Sequence, residues 1–321
     1  MITDIHPPTV NFLAGPYIDR RTEAREQLHW EDAARNDLTT RFILAVGLTQ
    51  LVISQDTPCI AFVGAEHPLV QSTPSEHWLL LGWFQGSRCV LVQLETIHSI
   101  DTSTALITTA EARFQELRPL VALLNEAEAG LLAYARAISY WQQRHRYCGL
   151  CGSKTSIQCA GHVMHCSNVQ CETVFFPRID PAIIVLVTNG ECALLGRQRT
   201  WTTGRYSTVA GFVEPGESLE DAVAREVLEE THVAVTAVSY HSSQPWPFPS
   251  SLMLGFMANA REDSIARSSS ELEDVRWFTR TEISNGFPIL PPKTSISFRL
   301  IEAWFNTDAQ IALSDLPHIR R

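Results

Sequence analysis

The stretch Ala210–Val233, "AGFVEPGESLEDAVAREVLEETHV", decides how the chain is read. A loop with glycine and proline leads into a predicted helix, with Ser218 at the N-cap and Asp221 three positions on. At about 100° per residue, Glu226, Glu229 and Glu230 lie within roughly 100° of one another. Leu219, Val223 and Val227 form an arc centred only about 65° away. A solvated acidic face would sit opposite that apolar stripe, whereas these carboxylates flank it and point toward the protein body. Crowded carboxylates raise one another's pKa unless cations neutralise them. Hard divalent cations with oxygen ligands, Mg²⁺ or Mn²⁺, suit the group. Acidic helical runs are usually plain solvated surface, but here the geometry and the preceding loop favour a metal.

Upstream lies a second cluster. Of eight cysteines, Cys59, Cys89 and Cys192 stand alone and read as small buried hydrophobes. The other five fall within "YCGLCGSKTSIQCAGHVMHCSNVQCETVFFP", Tyr147–Pro177. Cys148 and Cys151 form a C-x2-C knuckle, and Cys166 and Cys171 a C-x4-C pair. Two short turns presenting two thiolates each meet the tetrahedral demand of zinc, and the glycines beside the first pair let the backbone turn tightly. Four cysteine ligands leave no open position, so the site reads as structural, with one Zn²⁺ per subunit. Reduced unligated thiols or a disulfide framework are the alternatives, the latter disfavoured in a cytosolic chain. Cys159, His162 and His165 are spare donors within the loop.

Composition bounds the rest. The chain has 321 residues, 45% hydrophobic and 19% charged, enough for two or three globular domains. Net charge is −10, from 35 acids against 25 bases. That sign repels nucleic acid and anionic lipid at long range, so a phosphate-bearing substrate needs local cations. No basic-then-apolar leader opens the sequence and no apolar run is long enough to span a membrane, so a cytoplasmic protein without membrane contact is expected.

Residues 1–143 read as one α+β accessory or dimerisation domain. "RFILAVGLTQLVIS" and "CIAFVG" have strand composition, and "HWLLLGWFQGSRCVLVQLE" reads as two strands around a Gly86-Ser87 turn. From Glu111 to Arg144 the pattern is helical in two pieces, with Pro119 near the break. Residues 144–176 hold the cysteines. Residues 177–310 begin with a strand–turn–strand centred on Asn189-Gly190. The glutamate helix, "SQPWPFPSS" (Ser243–Ser251), a strand "SLMLGFMANA" and a helix around "SISFRLIEAWF" follow, which predicts an α/β sandwich. The three prolines of "SQPWPFPSS" exclude a central strand or helix interior and make it a stiff aromatic rail.

At this point the sequence closely resembles the Nudix hydrolases. Their signature maps onto Gly211, Glu217, Arg225, Glu226, Val227, Glu229, Glu230 and Val233. His232 departs from it, standing where the family has glycine; a left-handed residue there is expected to cost about 1 kcal/mol rather than the chemistry. The rail, the four-cysteine ribbon and "FPRIDPAII" resemble the NADH pyrophosphatase branch. The resemblance implies a Nudix α/β/α sandwich behind a zinc ribbon and an N-terminal domain. It also implies hydrolysis of NADH or NAD⁺ to nicotinamide mononucleotide and AMP, and a homodimer. The implied metal ligands are Glu226 and Glu230, with Glu229, Glu271 and the Ala210 carbonyl. More than one cation per site is implied, and Arg225 orients the carboxylates. The implied substrate contacts are Phe176 against a base, Gln244, Pro245, Trp246, Pro247, Phe248, Pro249, Ser250, Ser251 and Ser297.

Two other readings compete. Removal of NAD caps from RNA 5′ ends breaks the same bond; the net acidity disfavours long RNA contacts, which would need a local basic patch around Arg144, His145 and Arg146. A nucleotide sensor that binds without hydrolysing would be expected to lose part of the glutamate set, and every glutamate of the signature is present.

Overall fold

The computed structural model describes residues 10–95, 112–261 and 266–320. The chain divides into two compact units. One runs from Leu13 to Ile179 and includes Trp246–Ser250; the other comprises the described residues up to Phe12, Asp180–Pro245 and those from Ser251 on.

Seven described strands form the sheet of the first unit: β1 (Ile18–Asp19), β2 (Arg41–Val46), β3 (Thr49–Ile53), β4 (Cys59–Ile60), β5 (Trp78–Phe84), β6 (Ser87–Leu94) and β7 (Ala112–Glu116). Their order is β1-β5-β6-β2-β3-β4, and β7 also pairs with β3. β5 and β6 make the expected hairpin, but the turn is Gln85-Gly86, one residue earlier than predicted. Both residues have positive φ, 51° and 83°, which matches the right-handed twist of the strands they join. Short helices α1 (Trp30–Asn36), α2 (Pro68–Ser72) and α3 (Leu117–Leu120) accompany the long helix α4 (Glu126–Arg144).

One expectation is corrected here. The stretch read as helical from Glu111 begins outside the described residues, and its described start is strand β7, antiparallel to β3. Ala112 and Phe114 alternate with polar neighbours and pack into the core with Phe42, Leu44 and Trp78, a period of two that five residues are too few to reveal. Pro119 sits in α3, and α4 starts afresh at Asn125, whose side chain accepts from the Glu128 N–H at 3.0 Å.

The first unit also carries a three-stranded sheet, β8 (Thr155–Gln158), β9 (Val163–Cys166) and β10 (Val174–Phe175), in the order β10-β9-β8.

The second unit is built on β11 (Asp180–Asn189), β12 (Cys192–Arg197), β13 (Val209–Phe212), β14 (Val235–Trp246), β15 (Ser251–Ala260) and β16 (Asp274–Thr279), with helices α5 (Leu219–Thr231), α6 (Arg280–Ser284) and α7 (Ile296–Phe305). The sheet order is β14-β15-β11-β12-β16, with β13 beside β11. β11 runs parallel to β15 and antiparallel to β12 and β13. Its side chains alternate between two cores. Ile183, Val185 and Val187 pack with Val223 and Val227 of α5; Ile184 and Leu186 pack with Ile296, Phe298, Ile301 and Phe305 of α7. A strand buried on both faces reads as a continuous apolar run, and the result is the expected sandwich. The predicted Asn189-Gly190 turn closes β11 on β12, with Gly190 at φ 58°. Among the described residues no helix is long and apolar enough to cross a membrane.

Candidate functional site

α5 forms where its local chemistry directs. The Ser218 hydroxyl accepts from the Asp221 N–H at 3.1 Å, and the Asp221 carboxylate accepts in return from the Ser218 N–H at 3.3 Å, a reciprocal cap. His232 ends the helix in the left-handed region, φ 60° and ψ 16°, with its N–H on the Leu228 carbonyl at 2.9 Å.

Arg225 organises the acidic side of the helix. Its Nε and Nη2 donate to the two oxygens of Glu217 at 2.5 and 2.9 Å, Nη1 donates to Glu226 at 2.9 Å and Glu229 at 3.1 Å, and Nη2 also reaches the Phe212 carbonyl at 3.0 Å. The guanidinium, and then the Glu214 N–H, hold the Glu217 carboxyl down to about 2. Among the described residues no ion pair reaches Glu230. It is buried, 8% exposed, whereas the Glu229 side chain is 60% exposed. Burial, and then the charges of Glu226, Glu271 and Glu229, push the Glu230 carboxyl up to about 7. Burial also raises Glu226.

Gly211 is part of the same construction. A Cβ added there would come within 1.9 Å of the Glu226 Cδ, so the carboxylate occupies the space a side chain would fill. Ala210, opposite Ile184 in the β11–β13 ladder, is exposed. The structure therefore brings Glu226, Glu229, Glu230 and Glu271 within electrostatic reach of one another. Arg225 cannot neutralise them all. An all-oxygen donor set with surplus negative charge fits a hard divalent cation.

The cysteines meet a stricter test. Zn–S bonds of about 2.3 Å in a tetrahedron place the sulfurs about 3.8 Å apart. Cys148 and Cys171 Sγ are 3.8 Å apart, Cys151 and Cys166 Sγ 3.4 Å, and all four lie within 4.8 Å of one another. Among the described residues no other group of three or more histidine, cysteine or acidic ligands comes so close. The spare donors lie outside that cluster. The buried His162 ring meets the Tyr134 hydroxyl at 2.5 Å, and burial pushes its pKa down to about 4. Cys159 sits in a left-handed turn, and His165 lies in β9, opposite Val174 and Ser156.

The residues expected to meet substrate separate into two sets. Phe176 is 68% exposed, and the rail residues Trp246 and Phe248 are half-buried with their rings edge to face, centroids 5.1 Å apart. Pro249 is exposed, Pro247 buried, and Pro245, Ser250 and Ser251 half-buried. Gln244 and Ser297 are both turned inward. Gln244 is 1% exposed; its Nε2 donates to the Phe12 and Thr294 carbonyls at 2.9 and 2.8 Å, and its Oε1 accepts from the Ile296 N–H at 2.9 Å. Ser297, 2% exposed, meets Ser207 Oγ and Thr208 Oγ1 at 2.8 Å and the Thr208 N–H at 3.2 Å. Their polar atoms satisfy backbone groups of Phe12, Thr294, Ile296 and Thr208. Inspection of the sequence also missed Asn11, whose Nδ2 donates to Ser242 Oγ and the Ser243 carbonyl at 2.9 and 2.8 Å, and Arg136 beside the rail. Neither carries a local signal, since each partner lies more than a hundred residues away.

Comparison with known families finds the NUDIX domain at residues 178–302, the NADH pyrophosphatase zinc ribbon domain at 143–176 and the NADH pyrophosphatase-like rudimentary NUDIX domain at 39–141. Among curated relatives, the NAD-capped RNA hydrolase NudC of Pseudomonas syringae pv. syringae is 40% identical over 231 residues, 72% of this chain and 77% of that protein. NudC of Stutzerimonas stutzeri is 41% identical over 224 residues, 70% and 76% of the two chains. The NAD-capped RNA hydrolase NUDT12 of Macaca fascicularis is 38% identical over 208 residues, 60% of this chain; the match spans only 45% of that longer protein.

Proposed function

The chain belongs to the Nudix hydrolases, in the zinc-ribbon NADH pyrophosphatase branch, and from that premise we propose that it hydrolyses the pyrophosphate of NADH or NAD⁺ to nicotinamide mononucleotide and AMP. Water adds to one phosphorus as the P–O–P bridge breaks, the bridging oxygen leaves with the other phosphate, and protons pass to solvent. The observation that carries the reading is the burial of Glu230 against the charges of Glu226, Glu271 and Glu229, beside an Arg225 already committed elsewhere.

Glu226 and Glu230 are the principal ligands of Mg²⁺ or Mn²⁺, joined by Glu229, Glu271 and the Ala210 carbonyl, with more than one cation per site. A divalent cation held by these oxygens would supply neutralisation of the pyrophosphate charge and a lowered pKa for the attacking water. Arg225 holds Glu226 and Glu229 in place from the side and does not touch substrate. Phe176 stacks on a base, a contact worth about 1–3 kcal/mol by analogy with nucleic-acid binders. The rail, Pro245–Ser251, shapes the dinucleotide pocket, with Gln244 and Ser297 as further substrate contacts. Cys148, Cys151, Cys166 and Cys171 hold one structural Zn²⁺, and such thiolates suit a reducing compartment such as the cytoplasm. The reading includes a homodimer assembled through an accessory domain at 1–143, with the ribbon at 144–176 and the catalytic domain at 177–310.

The test is purified protein with NADH and Mn²⁺ or Mg²⁺, its products separated by chromatography. AMP and reduced nicotinamide mononucleotide in equal amounts are expected, with Glu230→Gln inactive but folded; no product with either metal, or full turnover by E230Q, would refute the reading. The names of the relatives favour a second substrate, NAD-capped RNA. Turnover on NADH and on NAD-capped RNA at matched concentration distinguishes the two.

A further inference from the structure

We infer that Arg136, on α4, is a specificity-determining positioning residue: it fixes the rail and so sets discrimination between dinucleotides and smaller pyrophosphates. The inference rests on the proposal that the rail shapes the substrate pocket. Trp246–Ser250 belongs to the same compact unit as α4. Arg136 Nη1 donates to the Pro247 carbonyl, and its guanidinium lies over the Phe248 ring, 4.9 Å from the centroid. Arg118 of α3 stands farther from the same ring, at 6.0 Å.

These contacts act on the two features that give the rail its form. The Phe248 N–H bonds back to the Trp246 carbonyl at 2.7 Å, a tight three-residue turn. Arg136 holds the carbonyl in the middle of that turn. One face of the Phe248 ring is covered by the cation, and the ring meets Trp246 edge to face, 73° between planes. A guanidinium is planar and offers donor and stacking face at once, so one side chain sets both the turn and the ring. Its own position is rigid, because α4 buries Leu132, Ala135, Ile138 and Ser139 around it. Remove Arg136 and the Pro247 carbonyl loses that donor while Phe248 loses the group that fixes its face. The glutamates of α5 are untouched, so chemistry at the pyrophosphate continues.

The experiment compares NADH, which has two bases, with ADP-ribose, which has the same pyrophosphate and one base. For Arg136→Ala, kcat/KM on NADH falls about tenfold through KM, the scale of one lost cation–π contact with its hydrogen bond. Values of kcat on NADH, and both constants on ADP-ribose, stay within about twofold. Because Arg136 acts partly through the Phe248 ring and partly through the Pro247 carbonyl, the losses of R136A and Phe248→Leu combine to less than their sum. Arg136→Lys keeps the charge without the fork and recovers part of the NADH preference; it also carries the test where R136A folds poorly. Equal losses on both substrates, an unchanged NADH preference in R136A and R136K, or additive losses in the double variant would each overturn the inference. Wild-type protein that cleaves no NADH would refute the pyrophosphatase reading and this inference together. Wild-type activity matched by R136A would overturn the inference alone.

Discussion

Replacing Glu230 with glutamine isolates the electrostatic tension at the centre of the site. In the folded protein its carboxyl is pushed up to about 7 from an ordinary 4.5, by burial and then by Glu226, Glu271 and Glu229. The folded state therefore holds this proton more tightly than the unfolded chain does. Between those two values the folded form binds more protons, and stability falls as pH rises. No penalty applies below pH 4.5, and above pH 7 it is complete at roughly 3 kcal/mol, taking about 1.4 kcal/mol for each tenfold in proton affinity. Glutamine has the same shape and cannot ionise. With zinc present and Mg²⁺ and Mn²⁺ withheld, urea unfolding should find E230Q and wild type alike at pH 4.5. By pH 8 E230Q should be the more stable by up to about 3 kcal/mol. Saturating Mn²⁺ at pH 8 should raise the wild-type midpoint by more than that of E230Q, which lacks one of the two principal ligands. A difference between the proteins that is the same at both pH values would refute the reasoning, as would an E230Q that is less stable throughout.

Other outcomes are as specific. Gly211→Ala places a methyl 1.9 Å from the present Glu226 Cδ; only the flexible carboxylate must yield, so the thermal midpoint stays near wild type while turnover on NADH falls about a hundredfold. An active G211A would show that the position of Glu226 does not matter. Substituting glycine for His232 relieves a left-handed side chain at φ 60°, and urea unfolding should show a gain of about 1 kcal/mol. Cys166→Ser removes a buried thiolate from the four-sulfur cluster; elemental analysis should find bound zinc reduced from one per chain to a small fraction, and retention of a full equivalent would exclude that ligand set. Ser218→Ala removes a reciprocal helix cap and should lower stability by about 1 kcal/mol, read as a shift in the thermal midpoint.

Much of this molecule was legible in the residues because the interactions concerned are short in sequence. The cap of α5 involves residues three apart, the left-handed exit at His232 one helical turn, and the zinc site two knuckles whose spacing alone suits a tetrahedron. β11 announced itself as an apolar run between turn signals, and the sheet then used alternate residues of that run against α5 and α7. Where a local pattern was short it misled. Five residues of β7 resemble the start of a helix until β3 is found beside them.

The rest was decided only by the folded chain. Family resemblance implies substrate contacts for Gln244 and Ser297, but nothing local in the sequence says where their side chains turn. Burial turns them toward the carbonyls and N–H groups of Phe12, Thr294, Ile296 and Thr208, because buried polar atoms must be satisfied. Arg136 meets a rail 111 residues away, a pairing that no window along the chain contains. The sequence by itself determined the glutamate helix, the cysteine cluster and the family, since spacing within a turn or two settles which side chains share a face. Tertiary structure alone decided which of those side chains are buried, charged or already engaged, because burial and electrostatic neighbours depend on strands and helices brought together across the whole length of the chain.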